Sequence, residues 1–503
     1  MAIALAFGHQ TFAQLENYAM DGLLFSSTNF GGTARSMGLA GAQTALGADL
    51  SSASNNPAGL GMCRKSEFTF TPMFGYGNST SSFFSNNSKG NYTNLALGNL
   101  GAIFSFAKDD LAGGKWRGGS IAISMTRIKD FNNSISFNGT NNDNSMTQYF
   151  IESANGINDQ IFLDEGNNSS ISSIQSLAYN TYVINPIIAS GDTKYQTLND
   201  MQISSVNQSG YINTKGRINE WNIAGGVNYD DKLYFGGSLG IMGLYYEEDK
   251  SFSENIVAAT PLTTTSFTLQ EGRIINGAGI KISGGIIGRP NDFMKVGLSF
   301  STPTIYSIDE SFKPTTMTST IANNVFYPGE STPLSTKQSA IMGGGTNNYT
   351  LTTPGIVTLG IALNNKNGLI TTEFSSVNYS GVNIQDPNNP LTYSNANNFS
   401  SNYFKSTFNA KIGAEWRIDD FRIRGGYAYY GDPTKGIDNT DRSKNYFTLG
   451  AGYRINDYFV DIAYINSLNK TVYSPYSLKN TTAPVVKSQN SNTNIVVSCG
   501  IFF

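Results

Sequence analysis

The chain has 503 residues and a formal net charge of -3, with 14% of residues Asp, Glu, Lys or Arg, against roughly 25% in an ordinary soluble domain. That balance gives no reason to expect nucleic acid as a partner. Aromatics reach 12%, with 27 Tyr and 31 Phe, there are 53 Gly, mean hydropathy is -0.23, and no run approaches the roughly 18 apolar residues of a membrane helix, so the composition points to a β-protein that meets lipid.

The first stretch, "MAIALAFGHQTFAQ", has an apolar stub and small residues at Thr11 and Ala13 before Gln14, the pattern of a shortened signal peptide over 1–13. Its removal would take His9, the only histidine, and with it any imidazole base or His-ligated zinc or haem. Two cysteines, Cys63 and Cys499, cannot build a metal cage, though a pairing between them stays open. The carboxylate pairs Asp230-Asp231 and Asp419-Asp420 fall at turns, where Asp is expected for its backbone bonds. No enzyme activity, metal or cofactor is therefore expected.

Residues 14–65 precede any strand pattern. They hold a small-residue run, "ARSMGLAGAQTALGADL", followed by "SSASNNPAGLGM". In a wide barrel the lumen is too large for wall side chains to fill, so this segment is expected inside as a plug. Asn56, Pro57, Ala58 and Gly59 form its handover: Asn56 is pushed to an extended backbone by the proline after it, Pro57 fixes the turn, and Ala58 and Gly59 leave room for close approach. The expected role is structural and gating.

From residue 66 onward the chain reads as hairpins. In "NAKIGAEWRIDDFRIRGGYAYYGDP", Ala410, Ile412, Ala414, Trp416 and Ile418 share one face while Asn409, Lys411, Glu415 and Arg417 share the other, the period-two pattern of a strand. Short turns fall at about 108–114, 230–231, 291–292, 365–367, 419–420 and 456–457. Long polar connections fall at about 76–91, 139–209, 249–264, 307–347, 384–401, 431–443 and 467–492. Seven long loops interleaved with six tight turns require fourteen antiparallel strands with both chain ends on the tight-turn side, which is the signature of a transmembrane β-barrel of a Gram-negative outer membrane. The lumen-facing set includes Glu415, Arg417, Arg422, Arg424, Arg454 and Asp461; such residues either dock a plug by charge-assisted bonds or line a solvated wall. "TNIVVSCGIFF" ends on an aromatic that closes an amphipathic strand.

The segment "GGTARSMGLAGAQTALGADLSSASNNPAGL", the fourteen strands and the terminal aromatic resemble the FadL-type outer-membrane transporters of hydrophobic compounds, in a Bacteroidetes-like form. The match runs over Asn56-Pro57-Ala58 and continues through Gly59-Leu60. The resemblance implies a monomer that passively takes up long-chain fatty acids or similar hydrophobic small molecules and releases them sideways into outer-membrane lipid. It also implies a terminal strand read by the outer-membrane assembly machinery. The lateral gap it implies falls on the third strand, about Trp116 to Ile128, with Gly118 and Gly119 as the local weak point. "NPAGL" also resembles a stretch in the outer-membrane component of the type IX secretion pathway, which leaves a plugged, protein-docking barrel as the alternative.

Overall fold

The computed structural model describes residues 11–27, 29–108, 114–187, 193–197, 205–257, 264–322, 325, 332–479 and 481–503. The expected signal segment lies largely outside these residues. Twenty hydrogen-bonded segments join into one sheet, and where consecutive segments continue one another they make fourteen antiparallel strands. These are β1 (Glu67–Phe83), β2 (Asn86–Ser105), β3 (Trp116–Asp130 and Asn133–Asn141), β4 (Ser205–Tyr229), β5 (Leu233–Val257), β6 (Thr264–Gly288) and β7 (Met294–Ser301, Ile305–Phe312, Thr315–Ile321). They continue with β8 (Lys337–Met342, Gly345–Thr352, Ile356–Asn365), β9 (Gly368–Asn378, Asn383–Gln385), β10 (Ser406–Ile418), β11 (Phe421–Tyr430), β12 (Lys444–Ile455), β13 (Tyr458–Tyr473) and β14 (Val486–Phe502). β14 pairs with β1 from Glu67↔Phe502 to Ser82↔Lys487, so the sheet closes into a barrel. Ser66 and Phe503 exchange backbone bonds of 3.1 and 3.0 Å at the seam, which ties the terminal aromatic into closure.

The alternation has the expected sense. Trp416 and Leu449 are 63% and 64% exposed on the outer face, and Ile412, Ile423, Val460 and Ile462 are exposed with them, while Glu415, Arg424 and Asp461 are buried on the inner face. This apolar outer belt is the surface that lipid covers in an outer-membrane barrel.

Away from the belt the strands run further than their sequence suggests. The segment 76–91, expected as a loop, is the tip of a hairpin in which β1 and β2 stay paired to Phe83↔Asn86. The 249–264, 307–347 and 467–492 regions likewise contain the ends of β5, β7, β8, β13 and β14. The cause is solvent: beyond the belt the outer face meets water, Ser, Thr and Asn occupy it, and the apolar alternation fades while the backbone ladder continues.

Helices α1 (Thr11–Ser26), α2 (Ala34–Gly38) and α3 (Ser52–Asn55) precede the barrel. The long β3–β4 connection holds α4 (Met146–Ala154), α5 (Asp159–Asn167) and α6 (Ile174–Asn180), and α7 (Ser394–Tyr403) lies between β9 and β10. Phe150, Phe162 and Leu177 are buried against Phe137, Phe252 and Phe267 of the wall, so α4 to α6 form a cap at the long-loop end. Ser145 Oγ and the Met146 N–H donate to Glu254 of β5, at 2.5 and 2.7 Å, fixing the first turn of α4. Within the cap the Tyr195 hydroxyl donates to Ile157 O at 2.8 Å, and burial pushes that phenol above its ordinary pKa. Cys63 is buried and Cys499 exposed, and both are free thiols.

Candidate functional site

The residues before β1 contact the lumen-facing positions of nearly every sector of the wall. What lets the segment sit so close to the wall is glycine. Gly226 pairs with Gly236 and Gly236 with Gly285 across β4, β5 and β6; Gly297 pairs with Gly360 across β7 and β8; Gly413 pairs with Gly426 across β10 and β11. A Cβ on Gly226 would lie 2.6 Å from Pro57 O, and one on Gly413 would lie 2.7 Å from Leu39 O. A Cβ on Gly236 would overlap the Pro57–Ala58 backbone, and one on Gly297 the Thr44 carbonyl. The glycines form a seat at one height around the lumen, and any side chain there would occupy the space of the segment's main chain.

Asn56 sits in this seat. Its backbone is extended, at φ -147° and ψ 100°, and it caps the 3-10 turn Pro57–Met62 by accepting from Ala58 N–H at 3.2 Å. Its amide donates to Thr44 O at 2.7 Å and reaches Leu298 O of β7 at 3.5 Å. One side chain thus ties the turn both to the rest of the segment and to the wall. Pro57, Ala58 and Gly59 are buried beside it.

Ion pairs hold the same segment on the opposite sector. Arg35 of α2 lies 3.8 Å from both Asp49 and Glu415. Glu415 also takes Arg424 and Arg417, each at 2.8 Å, and Arg424 reaches Asp461 at 2.5 Å. Glu373 accepts from Gln43 N, Thr44 N and Thr44 Oγ1 at 3.1, 3.1 and 2.8 Å while pairing with Lys411 at 2.7 Å. The other two residues of the lumen set are placed differently. Arg422 bonds the carbonyls of Asp419 and Phe421 at the turn, and the Arg454 guanidinium lies over the rings of Phe459 and Phe502 at 5.9 and 5.7 Å.

Toward the long-loop end the lumen changes character. Ala19, Leu23 and Phe25 of α1 pack with Ile218, Leu244 and Tyr246 in an apolar cluster. Tyr18 stands edge-on to Tyr349 and Tyr393 at 5.5 and 5.1 Å. The charges at this level are tied up: Arg273 pairs with Asp21 at 2.5 Å and Glu248 at 3.1 Å.

Beside this chamber the wall splits. β2 and β3 pair only from Asn99↔Thr126 to Ser105↔Ser120. Beyond that, β2 continues on β1 alone, while β3 passes an irregularity at Arg127/Lys129 and its outer segment pairs with β4 alone. The freed groups of β3 turn to the inner segment instead: Ile128 O accepts from Asn29 N at 2.9 Å, and Lys129 Nζ donates to Ser27 O and Oγ at 2.5 and 3.0 Å. Across the slot the Asn94 amide donates to Asp130 at 2.9 Å. Further out the wall is rejoined by side chains, with Asn86 bonded to Asn138 at 3.1 Å. Leu95 at the slot is 82% exposed, and Phe131 is buried against Phe25 at 5.7 Å between centroids. At the expected weak point the register also shifts, between Trp116 and Gly118, but both neighbours stay bonded: Gly118 and Gly119 pair with Asn228 and Val227, and Phe106 N donates to Gly119 O at 2.9 Å on the β2 side. The interruption falls where β3 changes partner, about ten residues along the same strand.

No family model matches the chain, and no curated protein matches it. Solved structures do. A FadL homologue of Pseudomonas aeruginosa aligns with a TM-score of 0.52 at 11% identity, covering 94% of this chain and 98% of that one. The toluene transporter TodX of P. putida aligns at 0.52 and 12% identity over 94% and 99%, and a TodX variant described as a monoaromatic hydrocarbon channel at 0.53 and 12% over 94% and 98%. At such identities a likeness establishes architecture, and together with the closed fourteen-stranded sheet it shows that this chain has the FadL-type outer-membrane barrel fold.

Proposed function

We propose that the protein carries hydrophobic small molecules passively across the outer membrane and releases them sideways into lipid through the slot between β2 and β3. The observation that supports this reading is the adjacency of the apolar chamber around α1 to a stretch of wall without a β2–β3 ladder. An apolar solute that passes from one apolar surface to another avoids the free-energy cost of entering water, and the ion-paired, glycine-seated segment fills the axial route. The fold neighbours named for toluene and monoaromatic hydrocarbons fit the same chemistry. Asn56, Pro57, Ala58 and Gly59 act in this scheme as the pivot of the plug, formed by residues 14–65 within the barrel of 66–503. Lys129 and Lys444 lie against one another beside the slot, and no described carboxylate pairs with either, which favours a ligand with an acidic head such as a long-chain fatty acid.

Uptake of labelled oleate and of toluene, by cells with and without the protein, tests the reading. Both tracers should enter faster with it, and Lys129→Met with Lys444→Met should lower oleate uptake more than toluene uptake. The alternative reading is a plugged barrel that docks a protein of the type IX secretion pathway. It is favoured by the helical cap over the mouth, and it requires equal uptake of both tracers with and without the protein.

A further inference from the structure

The outer face of the barrel carries a second concavity that transport does not use. A trough of about 470 Å³ crosses β2 to β6 near their long-loop ends, bounded by Asn86, Thr140, Asn207, Ser209, Asn255 and Thr268. Its position is unusual for a lipid-facing wall. On β4 the apolar belt ends at Trp221, with Tyr211 the one exposed aromatic beyond it; Asn207 lies fourteen residues past Trp221, about 45 Å along the strand at 3.3 Å per residue, or about 35 Å of height at a barrel-strand tilt of roughly 40°. The trough therefore stands clear of the hydrocarbon layer.

Its chemistry is narrow. The outward side chains are amides and hydroxyls, which can both donate and accept. Part of that capacity is spent internally: Thr140 donates to Asn207 Oδ1 at 2.8 Å, and Ser253 and Thr268 share a bond of 2.8 Å. Among the described residues, the Asn207 amide nitrogen and the side chains of Ser209, Asn255 and Ser266 make no hydrogen bond. The one ionisable residue in the lining, Glu254, is 1% exposed, and its carboxylate is turned inward to Ser145, Met146 N and Gln208. No Lys or Arg lines the trough. Two aromatics flank it. Phe84 is 41% exposed at the hairpin tip beside Gly139, and Tyr211 is 37% exposed two residues below Ser209. Unspent amides and hydroxyls recognise vicinal hydroxyl groups, aromatic faces take the C–H faces of sugar rings, and the missing cations exclude phosphate-rich ligands.

We infer that this trough binds neutral saccharide units of the glycolipid in which the barrel is embedded. The inference rests on the outer-membrane location and is independent of what the lumen carries. The protein would be reconstituted in discs containing lipopolysaccharide with its full saccharide, and in discs containing lipid A alone, and amide exchange followed over 207–211, 251–256 and 266–270. Slower exchange in the full-saccharide discs is expected. The same slowing should be lost in Asn207→Ala with Asn255→Ala, and should be reversed by the free outer saccharide but not by the phosphorylated inner core. Equal exchange in the two kinds of disc overturns the proposal, as does slowing that survives the double substitution or competition by the inner core alone. Because the two side chains face away from the lumen, tracer uptake should be unchanged in the variant, so the result stands apart from the transport reading.

Discussion

The two halves of the lumen are built on opposite principles. Toward the short turns, backbone meets backbone: wall glycines admit the main chain of residues 38–61, and Arg35, Glu415, Arg424 and Asp461 close a buried ionic network around it. Toward the long loops, side chain meets side chain: α1 leans on Leu244, Tyr246 and Ile218, and the wall beside it has lost its ladder between β2 and β3. The first half has specific partners for each buried charge, so displacement there leaves charges or carbonyls unpaired in a low-dielectric space. The second half keeps a few directional ties, such as Asp21 to Arg273 and Tyr18 to Glu310, but most of its contact is non-directional and apolar, the part that a hydrophobic guest would replace on the proposed reading. On the proposed function, the difference separates a fixed stopper from an exchangeable filling, with Asn56 at the boundary.

Several substitutions sharpen or break this contrast. Arg424→Met leaves Glu415 and Asp461 buried together without their shared partner, and should cost about 3–5 kcal/mol of stability, read as loss of the heat-resistant folded band. Leu449→Arg places a cation on the lipid face, where a penalty of about 2–4 kcal/mol is expected near the bilayer midplane; urea titration of refolding in lipid measures it. Gly236→Val, three heavy atoms larger and against the Pro57 carbonyl, should cost about 1–3 kcal/mol by overpacking. It should also disturb the inner segment without moving the belt, which protease sensitivity of residues 31–65 would report. Asn56→Ala removes the cap of one 3-10 turn and should cost only about 1 kcal/mol. Uptake per folded molecule should nevertheless change, because the same amide joins turn, segment and wall. If uptake per folded molecule stays constant, Asn56 is a connector and the boundary lies elsewhere.

Much of the architecture was legible because lipid imposes a hard rule: one face apolar, the other polar, with turns between. That rule places Ile412 and Trp416 outward and Glu415 inward from the sequence alone. It fails where the rule stops applying, as at residues 76–91 and 249–257, where water bathes the outer face and the strands carry on unmarked. The inner segment was legible from Asn56-Pro57 and its run of small residues. Its seat was not, although the signal was present: "AGGVN", "FGGSL", "SGGII" and "RGGYA" put paired glycines at matching heights of β4, β5, β6 and β11. Their meaning needs the cross-strand register, which brings Gly226 to Gly236 and Gly413 to Gly426. The sequence points to Gly118-Gly119 for the slot because glycine weakens strands locally. The pairing ends instead at Arg127–Asn132, where the inner segment offers Asn29 and Ser27 as substitute partners, a tertiary effect that composition does not reveal.

The most direct test of the account is to shut the slot. Asn94 and Asp130 touch across it through the ends of their side chains, so Asn94→Cys with Asp130→Cys, in a chain carrying Cys63→Ala and Cys499→Ser, places two thiols that a short bis-methanethiosulfonate reagent can bridge without requiring direct disulfide geometry. Hydrophobic tracer uptake by the cross-linked protein should fall to the level of cells without it, and reductive cleavage of the bridge should restore uptake in the same sample. Undiminished uptake through a fully cross-linked barrel would contradict lateral release and leave the lumen as the only route.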